Sequence, residues 1–295
     1  MIESAWLGLG ALVVGPFTEF SFMQRALAGC LALSLSAAPM GVFLMLRRMS
    51  LMGDAMAHGI LPGAALGYLY AGLSLGAMTL GGIVAGVLVA VAAGLVARST
   101  VLKEDTSMAA FYLLSLALGV LIVSTRGSNV DLLHVLFGTV LALNDDALIL
   151  LGAITSFTLL SLAILYRPLV MECLDPAFLR SVSRWSPVAH YGFLGLLVIN
   201  LVAGFHALGT LMSVGLLVLP AAASRFWVRE ITPMLLLSSA IAMVGSASGL
   251  LISYHADLPT GPTIVLCLGV LYLLSLAFGR QGLLQLRSSR HHLKA

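Results

Sequence analysis

The sequence predicts an all-α, polytopic integral membrane protein with about eight to ten transmembrane helices. Hydrophobic residues make up 60% of the 295 positions and charged residues only 9%. Apolar runs of roughly 17 to 25 residues, the length that a helix needs to cross a bilayer, recur along the whole chain. These runs lack the alternation of apolar and polar residues found in membrane β-barrels, so the spans are predicted to be helices.

Nine spans follow when the apolar runs are divided at charged, proline or glycine clusters. They are predicted near residues 22–46, 56–72, 77–97, 107–125, 146–166, 187–204, 208–223, 233–254 and 261–279. The apolar stretches 5–15 and 134–143 are each too short to cross alone. Either stretch is compatible with an interfacial or re-entrant helix, which leaves the number of crossings between eight and ten.

Basic residues predict the orientation of these spans. If Arg47 and Arg48 follow the first span into the cytoplasm, the alternation of spans puts nearly every other Arg and Lys on that side, and only Arg25 and Arg126 fall outside. This is the pattern of the positive-inside rule. Membrane topology therefore accounts for the formal net charge of +3 without a nucleic-acid partner.

Two ionisable side chains lie at the start of the second predicted span. In MSLMGDAMAHGILPGAALGYLY, residues 49–70, Asp54 and His58 are four positions apart. On a helix they share one face and can direct a carboxylate oxygen and an imidazole nitrogen at one point. Imidazole suits zinc, iron and copper, and carboxylate also suits manganese, so the pair favours a transition metal over calcium or magnesium without choosing among them. Ionisable residues in spans usually face a cavity or a transport path, so the pair is the main candidate metal site.

A structural interpretation of the same pair is also open. Asp54 follows a glycine near the start of a span and could cap the helix, while His58 could be a buried histidine bonded to a neighbouring helix. Pro62 and Gly63 lie one turn further on, where they are expected to loosen the helix. Loosened helices are common near membrane transport sites.

Weaker candidate metal ligands lie in HADLPTG, residues 255–261, at the predicted outer mouth. His255 and Asp257 could attract cations in a vestibule, or they could be ordinary residues of an exposed loop. The isolated cysteines Cys30, Cys173 and Cys267 indicate neither a disulfide framework nor a cysteine zinc site. No intrinsic cofactor is predicted.

The longest polar interruption, residues 166–187, is predicted to be cytoplasmic. Asp175 followed by Pro176 is typical of an N-cap and a first helical residue. A short amphipathic helix at about 175–183 is therefore expected at the membrane surface. It is either an interfacial linker or a docking helix for a cytoplasmic partner.

Several motifs together resemble a known family. RRMSLMGDAMAHGILPGAAL, LLHVLFGTVLAL, LDPAFLRSV, LLVLPAAASR and DLPTGPTIVL occur in the order seen in permease subunits of the ABC-3 family of bacterial zinc, manganese and iron ABC importers, from about Phe22 to Gly282. The resemblance implies one permease domain over 1–295 in the bacterial cytoplasmic membrane, with a short N-terminal segment at 1–20 and a cytoplasmic tail at about 280–295. It also implies a homodimer, two cytoplasmic ATPase subunits that bind ATP, and a periplasmic or lipid-anchored metal-binding protein.

The resemblance further assigns roles to residues. Asp54 and His58 match the pathway metal ligands of the family, and the segment expected to couple to the ATPase comprises Leu174, Asp175, Pro176, Ala177, Phe178, Leu179 and Arg180. The chain has no Gly-x4-Gly-Lys-[Ser/Thr] loop, so it is not expected to hydrolyse ATP itself. The wording MECLDPAFLRSVSRW is closer to zinc permeases, which makes zinc the expected cargo and manganese or iron the alternatives. A proton-coupled secondary metal transporter is a further alternative.

Overall fold

The computed structural model describes residues 14–284 apart from 73, 102–103, 126–139, 141–142 and 184. A short helical stretch at 14–19 precedes eleven helices within these residues, and no strand occurs among them. The helices are α1 Ser21–Leu46, α2 Met52–Gly59, α3 Leu61–Ala71, α4 Leu75–Ser99, α5 Glu104–Thr125, α6 Asp145–Leu174, α7 Pro176–Val182, α8 Trp185–Leu208, α9 Thr210–Arg225, α10 Ile231–Ala256 and α11 Thr260–Phe278.

The all-α membrane fold class is confirmed. In the described part of the chain, seven helices are long and apolar enough to cross a membrane: α1, α4, α5, α6, α8, α10 and α11. The shorter α9 is also apolar, and α2 and α3 together occupy the predicted second span. Most of the predicted stretches 5–15 and 134–143, and the tail beyond residue 284, lie outside the described residues.

Contacts between helix ends agree with the predicted alternation of directions. At one end, the backbone N–H of Gln281 after α11 donates to the carbonyl of Phe226 after α9. At the opposite end, Arg25 near the start of α1 forms an ion pair with Asp145 at the start of α6, with 3.1 Å between Nε and Oδ1. The first end carries the basic residues that predict the cytoplasmic side.

Helix α1 lies at the centre of the bundle and contacts α6, α8, α9 and α10. Gly41 makes the closest of these approaches possible. A Cβ at this position would overlap the backbone carbonyl of Leu217 in α9 and press on Ala221. The absence of a side chain therefore lets α1 and α9 pack backbone against backbone, a device common in membrane bundles.

Helix α6 is longer than predicted. The sequence suggested a span ending near residue 166, but the helix continues to Leu174 with Pro168 inside it. Proline removes one backbone hydrogen bond and bends a helix without always ending it. Leu169 and Glu172 are buried beyond the proline, so packing of the last two turns outweighs that loss.

Candidate metal site

The segment before the candidate ligands is a tight turn. Arg48 has a left-handed backbone with φ of 60°, and Met49 N–H donates to the carbonyl of Leu44 while Arg48 N–H donates to that of Met45. This is the Schellman arrangement that satisfies the last carbonyls of a helix. Met52 N–H then bonds to Met49, so α2 starts directly after the turn that ends α1.

One face of helix α2 packs against the bundle from its first turn. A Cβ at Gly53 would meet the Leu217 side chain at 2.6 Å, and Leu217 lies near the middle of α9. Met52 and Met56 on the inward face of α2, and Ile60 directly after it, are fully buried. Asp54 is consequently held at the level of the middle of a neighbouring membrane helix.

Asp54 and His58 face each other on α2 as their spacing predicted. His58 Nε2 lies 3.8 Å from Asp54 Oδ1, and the two side chains are 31% and 64% exposed. Donor atoms about 2.1 Å from a tetrahedral metal ion lie roughly 3.4 Å apart, so a small rotation brings both onto one ion. The position preceding α2 is Leu51, without a side-chain cap bond. The interpretation of Asp54 as an N-cap is therefore wrong.

The pair opens into a cavity of about 340 Å³. Residues of α2, α9 and α11 line it, and its polar side chains besides the pair are Ser50 and Thr210. Thr210 was not singled out by the sequence analysis, although the preceding Gly209, with φ of 88°, marks a sharp turn at this place. A larger groove of about 540 Å³ between α3, α4 and α5 has an almost wholly apolar lining and offers no ligand set.

The helix is interrupted directly after His58, as Pro62 and Gly63 suggested. Helix α2 ends at Gly59 and α3 begins at Leu61, with Pro62 in its first turn. Proline has no N–H for the carbonyl four residues earlier, which belongs to His58. Ser115 of α5 donates to the Gly59 carbonyl at 2.7 Å, so a neighbouring helix satisfies one acceptor at the break.

The weaker candidates do not join the pair into a larger ligand set. Among the described residues, no group of three or more His, Cys, Asp or Glu side chains is placed to hold one metal ion. Asp257 ends α10 in a left-handed conformation with φ of 51°, and its N–H donates to the Ser253 carbonyl. His255 packs its ring edge-on against Tyr254. Asp257 therefore has a structural role as the C-cap of α10. Its role in attracting metal ions stays a prediction.

This conformation makes a testable distinction at Asp257. Glycine adopts the left-handed region without a Cβ penalty, so Asp257→Gly is expected to leave the thermal midpoint unchanged or slightly higher. Asp257→Ala is expected to cost roughly 1 kcal/mol of stability. Both remove the carboxylate equally, and metal uptake at matched protein levels measures its contribution. Equal midpoints for the two variants would contradict the capping role.

The predicted cytoplasmic helix is present as α7, Pro176–Val182. The Asp175 carboxylate accepts a hydrogen bond from Phe178 N–H at 2.9 Å, which confirms it as the N-cap. Leu174, Phe178 and Val182 are exposed, whereas Leu179 is buried against the bundle. Phe178 and Val182 are four positions apart on α7 and therefore share one apolar face. Leu174 is the last residue of α6, directly before the Asp175 cap. The side chains of Pro176, Ala177 and Arg180 lie outside the described set.

Sequence reasoning missed a buried polar cluster beside α7. Arg47 forms an ion pair with Glu172, with 3.6 Å between Nη2 and Oε1 and only 7% and 2% of the side chains exposed. Ser186 and His190 complete the cluster. The sequence placed Arg47 on the cytoplasmic side without a partner, because the contact joins residues of three different helices.

The comparisons with known proteins agree with this fold along nearly the whole chain. A family model described as "ABC 3 transport family" matches residues 19–279. The manganese import system permease protein ScaB of Streptococcus parasanguinis is 34% identical over 257 residues, which cover 87% of this chain and 90% of the relative. The chelated iron transport system membrane protein YfeD of Yersinia pestis is 31% identical over 270 residues, with 92% and 89% covered.

A solved structure supports the same assignment. PsaBC from Streptococcus pneumoniae in complex with Fab contains a chain that superposes with a TM-score of 0.81 at 30% identity, covering 93% of this chain and 98% of that one. The bundle of apolar helices and this likeness define a multi-pass permease of the cytoplasmic membrane in an ABC transporter. The chain belongs to the ABC 3 transport family, whose model covers all described helices from α1 to α11. This confirms the family predicted from the motifs, that of metal-importer permeases.

Proposed function

We propose that this permease carries a divalent transition metal ion inward past Asp54 and His58. The observation that carries the proposal is the facing carboxylate and imidazole, 3.8 Å apart, on an interrupted helix whose first turn packs beside Leu217 of α9. Ionisable groups at such depth are costly unless they face water, protein or an ion. Two ligands give an incomplete coordination sphere, which suits a pathway because an ion held too tightly does not leave.

The exposure of the pair supports a homodimer. Asp54 remains 64% exposed although residues of three helices line its cavity. If this face met lipid, a carboxylate would lie against hydrocarbon at the level of the middle of α9. A second copy across the cavity would enclose the pathway and could supply the missing ligands. The metal would reach it from a periplasmic or lipid-anchored binding protein.

The energy source in this proposal is a separate ATPase that docks on α7. Phe178 and Val182 of α7, and Leu174 at the end of α6, are exposed apolar side chains at the end of the molecule where the basic residues predict cytoplasm. Exposed apolar surfaces rimmed by polar residues are typical of protein contacts. Two ATPase subunits, one for each α7 of the dimer, would convert closure around ATP into movement of the membrane helices.

The docking role predicts the effect of changing Phe178. Phe178→Asp is expected to lower co-purification of the ATPase with the permease by about tenfold, because a charge replaces an apolar anchor of the contact. Metal uptake is expected to fall with it. The control is Leu236→Ala, which truncates an exposed apolar side chain of α10. Leu236→Asp is not a suitable control, because it would place a charge on a side chain that is expected to face lipid. Normal ATPase recovery with Phe178→Asp would refute the docking surface.

The cargo within this class is proposed from the relatives and the ligands. The two named relatives are a manganese and an iron protein, and an oxygen–nitrogen donor pair without a cysteine suits manganese and iron as well as zinc. Manganese, named for the relative with the higher identity, is therefore the proposed cargo, with iron as an alternative. Zinc is the second candidate, because the segment MECLDPAFLRSVSRW resembles zinc permeases more closely.

Uptake of radioactive metal tests the proposal directly. Cells lacking their own importer would express this chain with its ATPase and binding protein, and would receive labelled manganese, zinc or iron. Manganese uptake that needs an intact ATPase is the expected result. Uptake of zinc without uptake of manganese would support the same mechanism with zinc as the cargo. Uptake that persists with an inactive ATPase and collapses with the proton gradient would favour a secondary transporter.

A further inference from the structure

The buried cluster beside α7 is built around one guanidinium. Arg47 Nη2 lies 3.0 Å from His190 Nδ1 and 3.6 Å from Glu172 Oε1. An arginine has only donors, so the His190 Nδ1 atom accepts. The guanidinium also lies over the ring of Phe193, 5.2 Å from its centroid. Ser186 donates to the second Glu172 oxygen at 2.9 Å.

These contacts hold both flanks of α7. Glu172 lies in the last turn of α6, just before the Asp175 cap, and Ser186 lies in the first turn of α8, just after α7 ends. Their hydrogen bond closes the chain around α7, and both residues are buried. A displacement of α7 must therefore move the carboxylate to which Arg47 is paired.

Arg47 connects this closed segment to the candidate metal site. It is the last residue of the α1 cap, and the Schellman turn through Arg48 and Met49 leads directly into α2. The turn is fixed by three backbone hydrogen bonds, one of them from Met52 N–H. Asp54 is seven positions after Arg47, so the path from the cluster to the ligands contains one short, hydrogen-bonded turn.

The cluster is poorly explained as a source of stability alone. A buried ion pair is often no more stable than an apolar replacement, because removing both charges from water costs as much as their attraction returns. Arg47 Nη1 is buried without a hydrogen-bond partner among the described residues. Such an arrangement fixes relative positions of three helices more specifically than it stabilises them.

We propose that Arg47, Glu172, Ser186 and His190 form a coupling joint that transmits movement of α7 to the turn before Asp54 and His58. The four are positioning residues, since none of them lies in the metal cavity. The proposal rests on the proposed function of α7 and of the metal site. It goes beyond that function by naming the contacts through which ATP-driven movement reaches the ligands.

The test measures transport and ATP hydrolysis together. The complete complex of permease and ATPase would be reconstituted in liposomes, with manganese ion as the probe. In Glu172→Gln, we expect the metal ions moved per ATP hydrolysed to fall about tenfold, while ATP hydrolysis stays within about twofold of wild type. Ser186→Ala removes only the hydrogen bond that closes the flanks of α7, and a smaller fall in the same ratio is expected.

The ion pair between Arg25 and Asp145 provides the matched control. It joins α1 to the same partner helix, α6, at their opposite ends. Arg25→Gln is therefore expected to leave the ratio unchanged. If Glu172→Gln lowers transport and hydrolysis in parallel, or if Arg25→Gln lowers the ratio equally, the coupling joint is refuted.

Two further results separate a failure of the coupling joint from a failure of the proposed function. If Glu172→Gln does not fold, Ser186→Ala decides, and an unchanged ratio in that variant overturns the proposal. A wild-type complex that hydrolyses ATP but moves neither manganese, zinc nor iron would refute the proposed function itself. That result would refute the coupling joint as well. If the wild-type complex transports metal and the ratio of metal ions moved to ATP hydrolysed is unchanged in Glu172→Gln, only the coupling joint is refuted.

Discussion

Replacing either candidate ligand is expected to abolish metal uptake. Asp54→Asn keeps the shape of the side chain but removes its charge, and His58→Ala removes the imidazole donor. Residues that merely support a metal ligand commonly contribute 10- to 100-fold to affinity, so loss of a ligand is expected to lower uptake by about 100-fold or more. Initial rates of labelled manganese and zinc uptake, at matched amounts of folded permease, measure the effect.

Asp146→Asn is the matched control for this experiment. Asp146 is an exposed carboxylate in the first turn of α6, away from the cavity, and its neutralisation is expected to leave uptake within about twofold, because exposed charges are screened. Unchanged uptake in both Asp54→Asn and His58→Ala would return the pair to a structural role. The family assignment would survive that result, since it depends on the whole chain.

Much of the fold was predictable because lipid imposes simple rules on sequence. Apolar length located the spans, and Asp175–Pro176 located the start of α7 within one residue of the observed helix. The shared face of Asp54 and His58 followed from helical spacing alone. Each of these predictions depends on residues close together in the chain.

The features that the sequence did not reveal depend on contacts between distant segments. Arg47 and Glu172 are 125 positions apart, and nothing in their local sequences indicates that α1 and α6 bring them together. The helix beyond Pro168 was missed for the same reason, since burial of Leu169 and Glu172 decides its extent. The depth of Asp54 required knowledge that α2 starts beside the middle of α9.

The second large effect is expected at Gly41, where α1 packs against the same part of α9 that lies beside α2. A Cβ on Gly41 would overlap the Leu217 carbonyl, and backbone cannot rotate away as a side chain can. Even Gly41→Ala must separate α1 from α9, and overpacking of this kind typically costs about 1–3 kcal/mol. Gly41→Val is expected to cost more. The thermal midpoint of the purified permease and its recovery as a monodisperse species measure the loss.

The effect should reach the metal site because the Leu217 side chain also lies where a Cβ on Gly53, the residue before Asp54, would be. Displacing α9 moves the cavity wall that carries Thr210 and Val214, so uptake per folded molecule is expected to fall together with stability. Gly152→Ala is the control: a Cβ there meets nothing within 4 Å, and alanine is the better helix former by roughly 1 kcal/mol. A Gly41→Ala variant that melts and transports like Gly152→Ala would show that α1 and α9 tolerate separation, and that the cavity wall is not positioned by their contact.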